Sequence, residues 1–416
     1  MGVSPRREHK RAARGPQARS TKTRRWLKSR PHPPSERAMQ TPQPNPAPLV
    51  ALGDADERVD LFSLTRDQLA DHLDAWGVGA RHANRVFRHL HALQVPLHEI
   101  PSLGRHAHTI AARSYLPRVT LKTSTRADDG TIKLLFALGD GGLVESVLLP
   151  MRLERYTLCV STQVGCAMAC SFCATGTLGL KRSLTAGEVV MQVHEARRFV
   201  EGLKAAPGDL VSAEEAAAAG ARELSHLVFM GMGEPLHTYE RTRDALRVLI
   251  DPHGRPFSTR KVTVSTVGLV PNMRRFSEDF AGRVQLALSL HAGTDATRER
   301  IIPTARRWRL AELRQALLDH PLPGNRALMI EYVVLPGVND SDEELDGVAA
   351  FHKGLRALVN LIPFNPFPAA PFRSPTPEEV ARVERGLKAR GVPCSVRVTR
   401  GQERAGACGQ LAISGF

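Results

Sequence analysis

From residue 156 onward, apolar strand-like runs alternate with amphipathic helix-like runs, and this rhythm restricts the fold more than any other feature of the chain. Strand candidates fall at 157–162, 224–230, 261–266, 284–291, 328–335, 360–364 and 394–399. Helix candidates lie between them at 185–203, 238–250, 310–320, 341–355 and 377–390. Parallel neighbours need a long crossover, so strands alternating with helices predict parallel βα units. About six such units favour an open or partial (β/α) barrel over a doubly wound sheet. Either architecture collects ligands at the C-terminal ends of its strands. The stretch 209–221, rich in Ala and Glu, reads as an insertion between the first helix and the second strand.

The part before the barrel divides by pattern. Segments 64–76 and 80–93 carry apolar residues at three- and four-residue spacing, with Asp67 near the first helix start, and predict a small basic helical domain. Segment 121–150 alternates, with turns at 128–130 and 140–142, and predicts a short antiparallel sheet. The expected fold class is therefore α/β, a partial barrel preceded by a small helical domain and a short antiparallel sheet. The expected organisation is a disordered basic and Pro-rich extension over 1–57 and a helical accessory domain over 58–118. A short β linker over 119–150 and a barrel core over 151–412 complete it.

Charge points to the partner. The 416 residues carry a formal net charge of +15, with a pI near 10.1, which favours a polyanion such as nucleic acid. Residues 1–39 hold twelve basic residues against Glu8 and Glu36, so about +10 of the excess sits there. An RNA-attracting arm, a transit peptide and a dispensable extension bypassed by a start at Met39 all stay open for this stretch. No apolar run reaches membrane-spanning length, and the N-terminus lacks a secretory core. Six cysteines in so long a chain do not make a disulfide scaffold, and a cytoplasmic protein without a membrane partner is expected.

Three of those cysteines carry chemistry. Cys166, Cys170 and Cys173 form a C-x3-C-x2-C run in one loop. Three thiolates this close can hold three irons of a [4Fe-4S] cluster and leave the fourth iron open to a substrate or cofactor. The spacing and the following Ala174-Thr-Gly176 resemble the signature of radical S-adenosylmethionine (SAM) enzymes, in which the open iron chelates SAM. A structural zinc site completed by a residue such as His194 is the competing reading, although zinc ligands usually come in separated pairs. After the second strand stands Phe229-Met-Gly-Met-Gly-Glu-Pro235, which lacks the third glycine of a dinucleotide fingerprint. Beside a SAM site, its glycines and Glu234 can receive the SAM ammonium group. Ser265, the Ser289-Leu290-His291-Ala292 run and Asn365 follow later strands. Each alone is as readily a capped strand end, and their shared placement is what favours a ligand role. Cys159, Cys394 and Cys408 read equally well as buried free thiols. Glu145 is a carboxylate in an apolar strand, which alternation can also place on an exposed face.

Together these pieces resemble the RlmN-type dual-specificity adenine-2 methyltransferases of 23S rRNA and tRNA. The matching segments are Glu145-Ser-Val-Leu-Leu-Pro150, Cys159-Val-Ser-Thr-Gln-Val-Gly-Cys166 with the full triad, and Phe229-Met-Gly-Met-Gly-Glu-Pro-Leu236. Val262-Thr-Val-Ser-Thr266, Leu288-Ser-Leu-His-Ala292, Leu361-Ile-Pro-Phe-Asn-Pro-Phe367 and Ala407-Cys-Gly-Gln-Leu411 continue the series in order. The resemblance implies a radical SAM barrel, with a [4Fe-4S] cluster on Cys166, Cys170 and Cys173. It implies SAM binding by Gly233, Glu234, Ser265, Ser289, Leu290, His291 and Asn365. It makes Cys408 the methyl-carrying cysteine, Cys159 its resolving partner through a transient disulfide, and Glu145 a general base. It further implies a helical domain that helps to hold RNA. A reducing electron donor such as flavodoxin and a monomeric protein are expected with it. Cfr-type enzymes, which modify carbon 8 of an adenine in 23S rRNA, are the alternative within the same chemistry. The chain departs from the family pattern at Gln402-Glu-Arg-Ala-Gly406, where Asp-Ile is usual, and at Ala305-Arg-Arg-Trp308.

If residues 1–39 add RNA affinity, deleting them weakens binding and flattens its salt dependence. An unchanged salt slope would show that this stretch does not touch RNA.

Overall fold

In the computed structural model, every strand of the main sheet pairs with the next strand in sequence. The structure describes residues 58–153, 155–205, 223–368, 370–397 and 399–412. The expected extension over 1–57 and the insertion at 209–221 lie outside these residues. The main sheet runs in order β1 (Val119–Arg126), β2 (Ile132–Leu138), β3 (Leu143–Met151), β4 (Arg155–Cys159), β5 (Glu223–Phe229), β6 (Val262–Thr266), β7 (Gln285–Ser289), β8 (Leu328–Val334), β9 (Ala357–Pro363) and β10 (Cys394–Val396). β1 to β4 pair antiparallel, and β4 to β10 pair parallel. A strictly sequential parallel order has no topological switch point, so it winds one way as a barrel wall does. β1 and β10 do not pair, and the barrel is open between them.

The crossovers are α4 (Ala186–Ala205), α5 (Tyr239–Ile250), α6 (Val270–Phe280), α7 (Asp295–Ile301) with α8 (Leu310–Leu318), α9 (Asp342–His352) and α10 (Pro377–Ala389). Their starts follow local chemistry. Thr376 caps α10 in a capping box with Glu379, and Ser341 accepts from the Glu344 N–H at the head of α9. α6 and α7 were not among the helices expected from sequence. α7 is only seven residues long, too short for two full periods to show.

The N-terminal helices are α1 (Arg66–Ala75), α2 (Ala83–Arg88) and α3 (Arg105–Arg113). Thr65 and Gln68 form a capping box at α1, and Leu69 and Leu73 are buried beneath it. The helix expected over 80–93 is instead a 3-10 turn, α2 and a π turn over His89–Leu93. The widened turn accompanies the burial of His91, whose ring lies 4.4 Å from Phe87 and 5.8 Å from His194 on α4. Leu69, Leu73, Val86 and Phe87 join one continuous apolar core with the barrel.

The antiparallel strands expected over 121–150 are present and continue the barrel sheet through the β3–β4 pairing. A buried polar knot seals that junction. Gln192 of α4 accepts from Ser146 Oγ at 2.9 Å and the Ser161 N–H at 3.1 Å, and donates to Ser161 O at 3.0 Å and Glu188 O at 3.3 Å. Ser161 Oγ donates to Glu145 O at 2.5 Å and accepts the Met232 N–H at 2.8 Å. No helix among the described residues is long and apolar enough to cross a membrane.

Gln192→Leu keeps the volume and strips partners from the Ser161 N–H, Ser161 O and Ser146 hydroxyl. Each orphaned buried group costs about 1–3 kcal/mol. The expected outcome is a clearly lower denaturant midpoint; an unchanged midpoint would show that water replaces the amide.

Candidate functional site

The triad loop is built by close backbone approach. Gly165 has φ +80°, and a Cβ there would stand 1.8 Å from Gly179 O, so only glycine lets the loop fold back. The Cys166 N–H then donates to Gly179 O at 3.0 Å, the Ser171 N–H to Ile301 O at 3.0 Å and the Cys173 N–H to Cys170 O at 3.1 Å. Cys166, Cys170 and Cys173 all border one cavity of about 160 Å³ at the C-terminal ends of β5 to β9. Burial pushes the Cys166 thiol up to about 12 and raises those of Cys170 and Cys173. Such thiols ionise readily only when cations replace the lost water. Among the described residues, no three His, Cys, Asp or Glu side chains converge as the ligands of a single metal ion would. His194 lies elsewhere, with Nδ1 2.8 Å from Gln94 Nε2. His194 therefore does not border the triad cavity as a fourth zinc ligand. Three thiols from one loop around a shared cavity fit three corners of an iron–sulfur cluster.

Opposite the triad stand the residues expected to hold SAM. Gly233 has φ +103°, and a Cβ there would lie 2.6 Å from Gln163 Cβ, so this glycine also serves close packing on the triad-bearing segment. The Glu234 carboxylate accepts the Leu236 and Val267 N–H groups, each at 2.9 Å. Burial pushes its carboxyl up to about 7 against those hydrogen bonds, so a cationic ligand would complete it. Ser265 Oγ and Ser289 Oγ lie 3.4 Å apart at the ends of β6 and β7. His291 sits at φ +58°, and its Nδ1 accepts the Val333 N–H at 3.0 Å, which leaves Nε2 to carry the proton. Burial, then Arg298, push its pKa down to about 3, so the ring is neutral. Gly233, Glu234, Ser265, Ser289, His291 and Asn365 all line the cavity with the triad.

Leu290 is the exception. Its side chain is in the core, its N–H donates to Glu331 O at 3.1 Å, and its carbonyl accepts Arg298 Nε at 3.0 Å. The buried Arg298 also donates to Ser289 O at 3.1 Å and Val267 O at 2.5 Å, holding the ends of β6 and β7 together. The Leu290 side chain therefore does not line the cavity.

Cys408 arrives from the far end. Beyond β10 the chain crosses the open side of the barrel, where the Gly401 N–H donates to Asp129 Oδ2 at 2.8 Å. It then returns to the triad loop. There the Ala174 N–H donates to Gly409 O at 2.7 Å, Thr175 Oγ1 to Leu411 O at 2.5 Å and Asn365 Nδ2 to Cys408 O at 3.2 Å. Cys408 borders both the triad cavity and an adjoining cavity of about 710 Å³ in the barrel lumen. Cys159 lines the larger cavity too, and burial and the nearby Cys408 push its thiol up to about 12.

Sequence reading missed two residues between the cavities, Glu331 and Arg397. Cys408 first, then Glu331 and Cys159, raise the Arg397 pKa, so its guanidinium is the nearby positive charge for both thiols. Glu331 Oε1 accepts Asn360 Nδ2 at 3.1 Å, and burial raises its carboxyl. Glu331 gives the same signal as Glu145, a lone carboxylate in an apolar strand.

Glu145 itself is fully buried, with Oε1 3.1 Å from Lys133 Nζ, which excludes the exposed-face reading. It does not line either cavity. By strand alternation it shares a face with Val147 and Leu149, which do line the lumen, and Val147 pairs directly with Cys159. The carboxylate thus stands one pleat beyond the cavity wall.

Known proteins resemble this chain in sequence and fold. Residues 160–347 match the profile of the Radical SAM superfamily. The dual-specificity RNA methyltransferase RlmN of Anaeromyxobacter dehalogenans (strain 2CP-C) is 45% identical over 365 residues, 86% of this chain and 93% of that protein. RlmN 2 of Myxococcus xanthus (strain DK1622) is 40% identical over 388 residues, 92% of this chain and 96% of that protein. The crystal structure of a radical SAM methyltransferase from Sphaerobacter thermophilus is 41% identical, with a TM-score of 0.73 over 85% of this chain and 99% of that one. A radical SAM barrel with an intact three-cysteine loop, matched over most of its length by such relatives, belongs to the RlmN family of radical SAM RNA methyltransferases.

Proposed function

We propose that the protein methylates carbon 2 of adenine in 23S rRNA and in tRNA through a methyl group carried on Cys408. The observation that carries this reading is the meeting of Cys159, at the end of β4, and Cys408, beyond β10, in one lumen next to the triad cavity. An iron–sulfur protein that only transferred electrons or bound RNA would need neither thiol there.

The chemistry demands such a device. The methyl group of SAM is an electrophile, and carbon 2 of adenine is not a useful nucleophile, so direct transfer fails. Cys166, Cys170 and Cys173 would hold the [4Fe-4S] cluster, and Gly233, Glu234, Ser265, Ser289, His291 and Asn365 would hold SAM, with Leu290 setting the loop. When bound, the cluster and SAM supply the one-electron chemistry that makes the methyl carbon on Cys408 reactive toward the base. An external reductant of the flavodoxin class provides the electron.

The remaining steps fall to this chain's own side chains. The Cys408 thiolate takes the methyl group from SAM by displacement: a carbon–sulfur bond to Cys408 forms as the methyl–sulfonium bond breaks. Arg397, whose own pKa Cys408 raises, is the positive charge beside the reacting sulfur. Once the base is joined to Cys408 through one carbon, Cys159 attacks the Cys408 sulfur. A sulfur–sulfur bond forms as the sulfur–carbon bond breaks; the electron pair of the broken bond passes to the carbon on the base, which takes up a proton from solvent to become the methyl group of the released product. Cys159 also needs Arg397, because burial otherwise holds its thiol protonated. Glu145, paired with Lys133 one pleat beyond the lumen wall, takes the ring proton through an intervening water rather than by direct contact. Cellular thiols reduce the disulfide and reset the pair. The helical segment 58–118 helps to hold the RNA by phosphate contacts and shape, and the target base leaves its stack to reach Cys408.

Cys166→Ala, Cys170→Ala or Cys173→Ala should each abolish the iron content of anaerobically reconstituted protein and SAM cleavage with it. Stoichiometric zinc without iron in the unaltered protein would overturn the cluster assignment. Cys159→Ala should still methylate Cys408 and join it to the base but fail to release it, giving a nuclease-sensitive mobility shift of enzyme bound to RNA. Normal turnover by Cys159→Ala would remove the resolving role. Mass spectrometry of digested rRNA and tRNA separates 2-methyladenosine from the carbon 8 product.

A further inference from the structure

The lumen is far deeper than the reacting thiols require. Its walls are alternate residues of the strands, and along β4 these are Arg155, Thr157 and Cys159. Strand geometry sets Arg155 about 13 Å from Cys159, at the end of the lumen away from the triad. Arg152 and Arg400 also border this end; the Arg400 charge acts on Asp129, while Arg152 and Arg155 make no ion pair with a described carboxylate. Both segments that carry them meet here. The Gly401 N–H, next to Arg400, is held by Asp129, and a Cβ on the adjacent Gly130 would lie 3.6 Å from Pro150 Cγ, just before the β3–β4 corner.

That corner is unusual in a second way. Leu153, between Arg152 and Arg155 in sequence, is 80% exposed and adopts φ +60°. A left-handed backbone is disfavoured for a branched aliphatic side chain and carries strain. Met151 beside it is 44% exposed and lines the lumen. A single exposed leucine needs no explanation. A strained one next to Arg152, at the rim of a cavity that must receive an extruded base, has a chemical partner at hand. Nucleic-acid proteins insert apolar side chains between bases and set arginines on the adjoining phosphates.

We propose that Arg152 and Leu153 after β3, Arg155 at the start of β4 and Arg400 form the RNA-docking rim of the lumen. Arg152, Arg155 and Arg400 take phosphates flanking the base to be modified, and Leu153 fills the gap that base leaves in its stack. This rests on the reading of the protein as an RNA methyltransferase and says how the substrate is seated.

The test uses anaerobically reconstituted holoenzyme and a tRNA transcript. Arg152→Ala, Arg155→Ala and Arg400→Ala should each lower the slope of log affinity against log salt by about 0.7–0.9, and raise KM more than they lower kcat. Leu153→Asn suits a left-handed backbone, so the fold holds while the apolar wedge is lost. It should lower kcat and the fluorescence of 2-aminopurine placed at the methylated adenine, because the base is extruded less often. Unchanged salt slopes in all three arginine variants would overturn the phosphate contacts, and unaltered fluorescence and kcat in Leu153→Asn would overturn the wedge. If the unaltered enzyme methylates neither tRNA nor 23S rRNA, the functional reading fails, while the salt slopes still decide the rim.

Discussion

Two buried side chains, Gln192 and Ser161, satisfy five backbone groups where the antiparallel strands meet the parallel barrel. The rest of the site depends on this knot. It ties α4, β3, the segment between Cys159 and the triad, and the loop before Glu234 into one piece. Each backbone group there is shut away from water, and an unpaired one costs about as much as a well-made hydrogen bond gains. The triad loop and the Glu234 loop are thus positioned by polar satisfaction as well as by apolar packing. Arg298 plays the same part on the other side, where its guanidinium gathers carbonyls from the loops after β6 and β7.

Burial also sets the electrostatics of the site. It raises the thiols of Cys159, Cys166, Cys170 and Cys173 and the carboxyl of Glu234, and it lowers His291. Each shift disfavours an isolated charge. A site in that state gains most from ligands that bring the opposite charge: iron for the triad, a sulfonium amino acid for Glu234. Arg397 is the exception, a permanent cation between the two cavities that acts on Cys408 and Cys159. The division matches the chemistry proposed for each cavity, with cofactor bound on one side and thiolates generated on the other.

Much of this was legible beforehand where the signal is local. The order of strands and helices, the triad and the Gly-Glu loop all follow from short periods or short spacings. α7 was not legible because just under two turns shows no clear period. The π turn that buries His91 was not legible because it depends on His194 and Phe62, which belong to other elements.

By itself the sequence determined a chain of parallel βα units with three clustered thiols at a strand end, because alternation and spacing act between near neighbours. Only the tertiary structure decided that Cys408 crosses the open side of the barrel to reach Cys159. It alone paired Glu145 with Lys133 behind the lumen wall, removed Leu290 from the cavity and put Glu331 and Arg397 between the two chambers. Each of these outcomes rests on contacts between segments far apart along the chain, where burial and charge, not local pattern, select the partner.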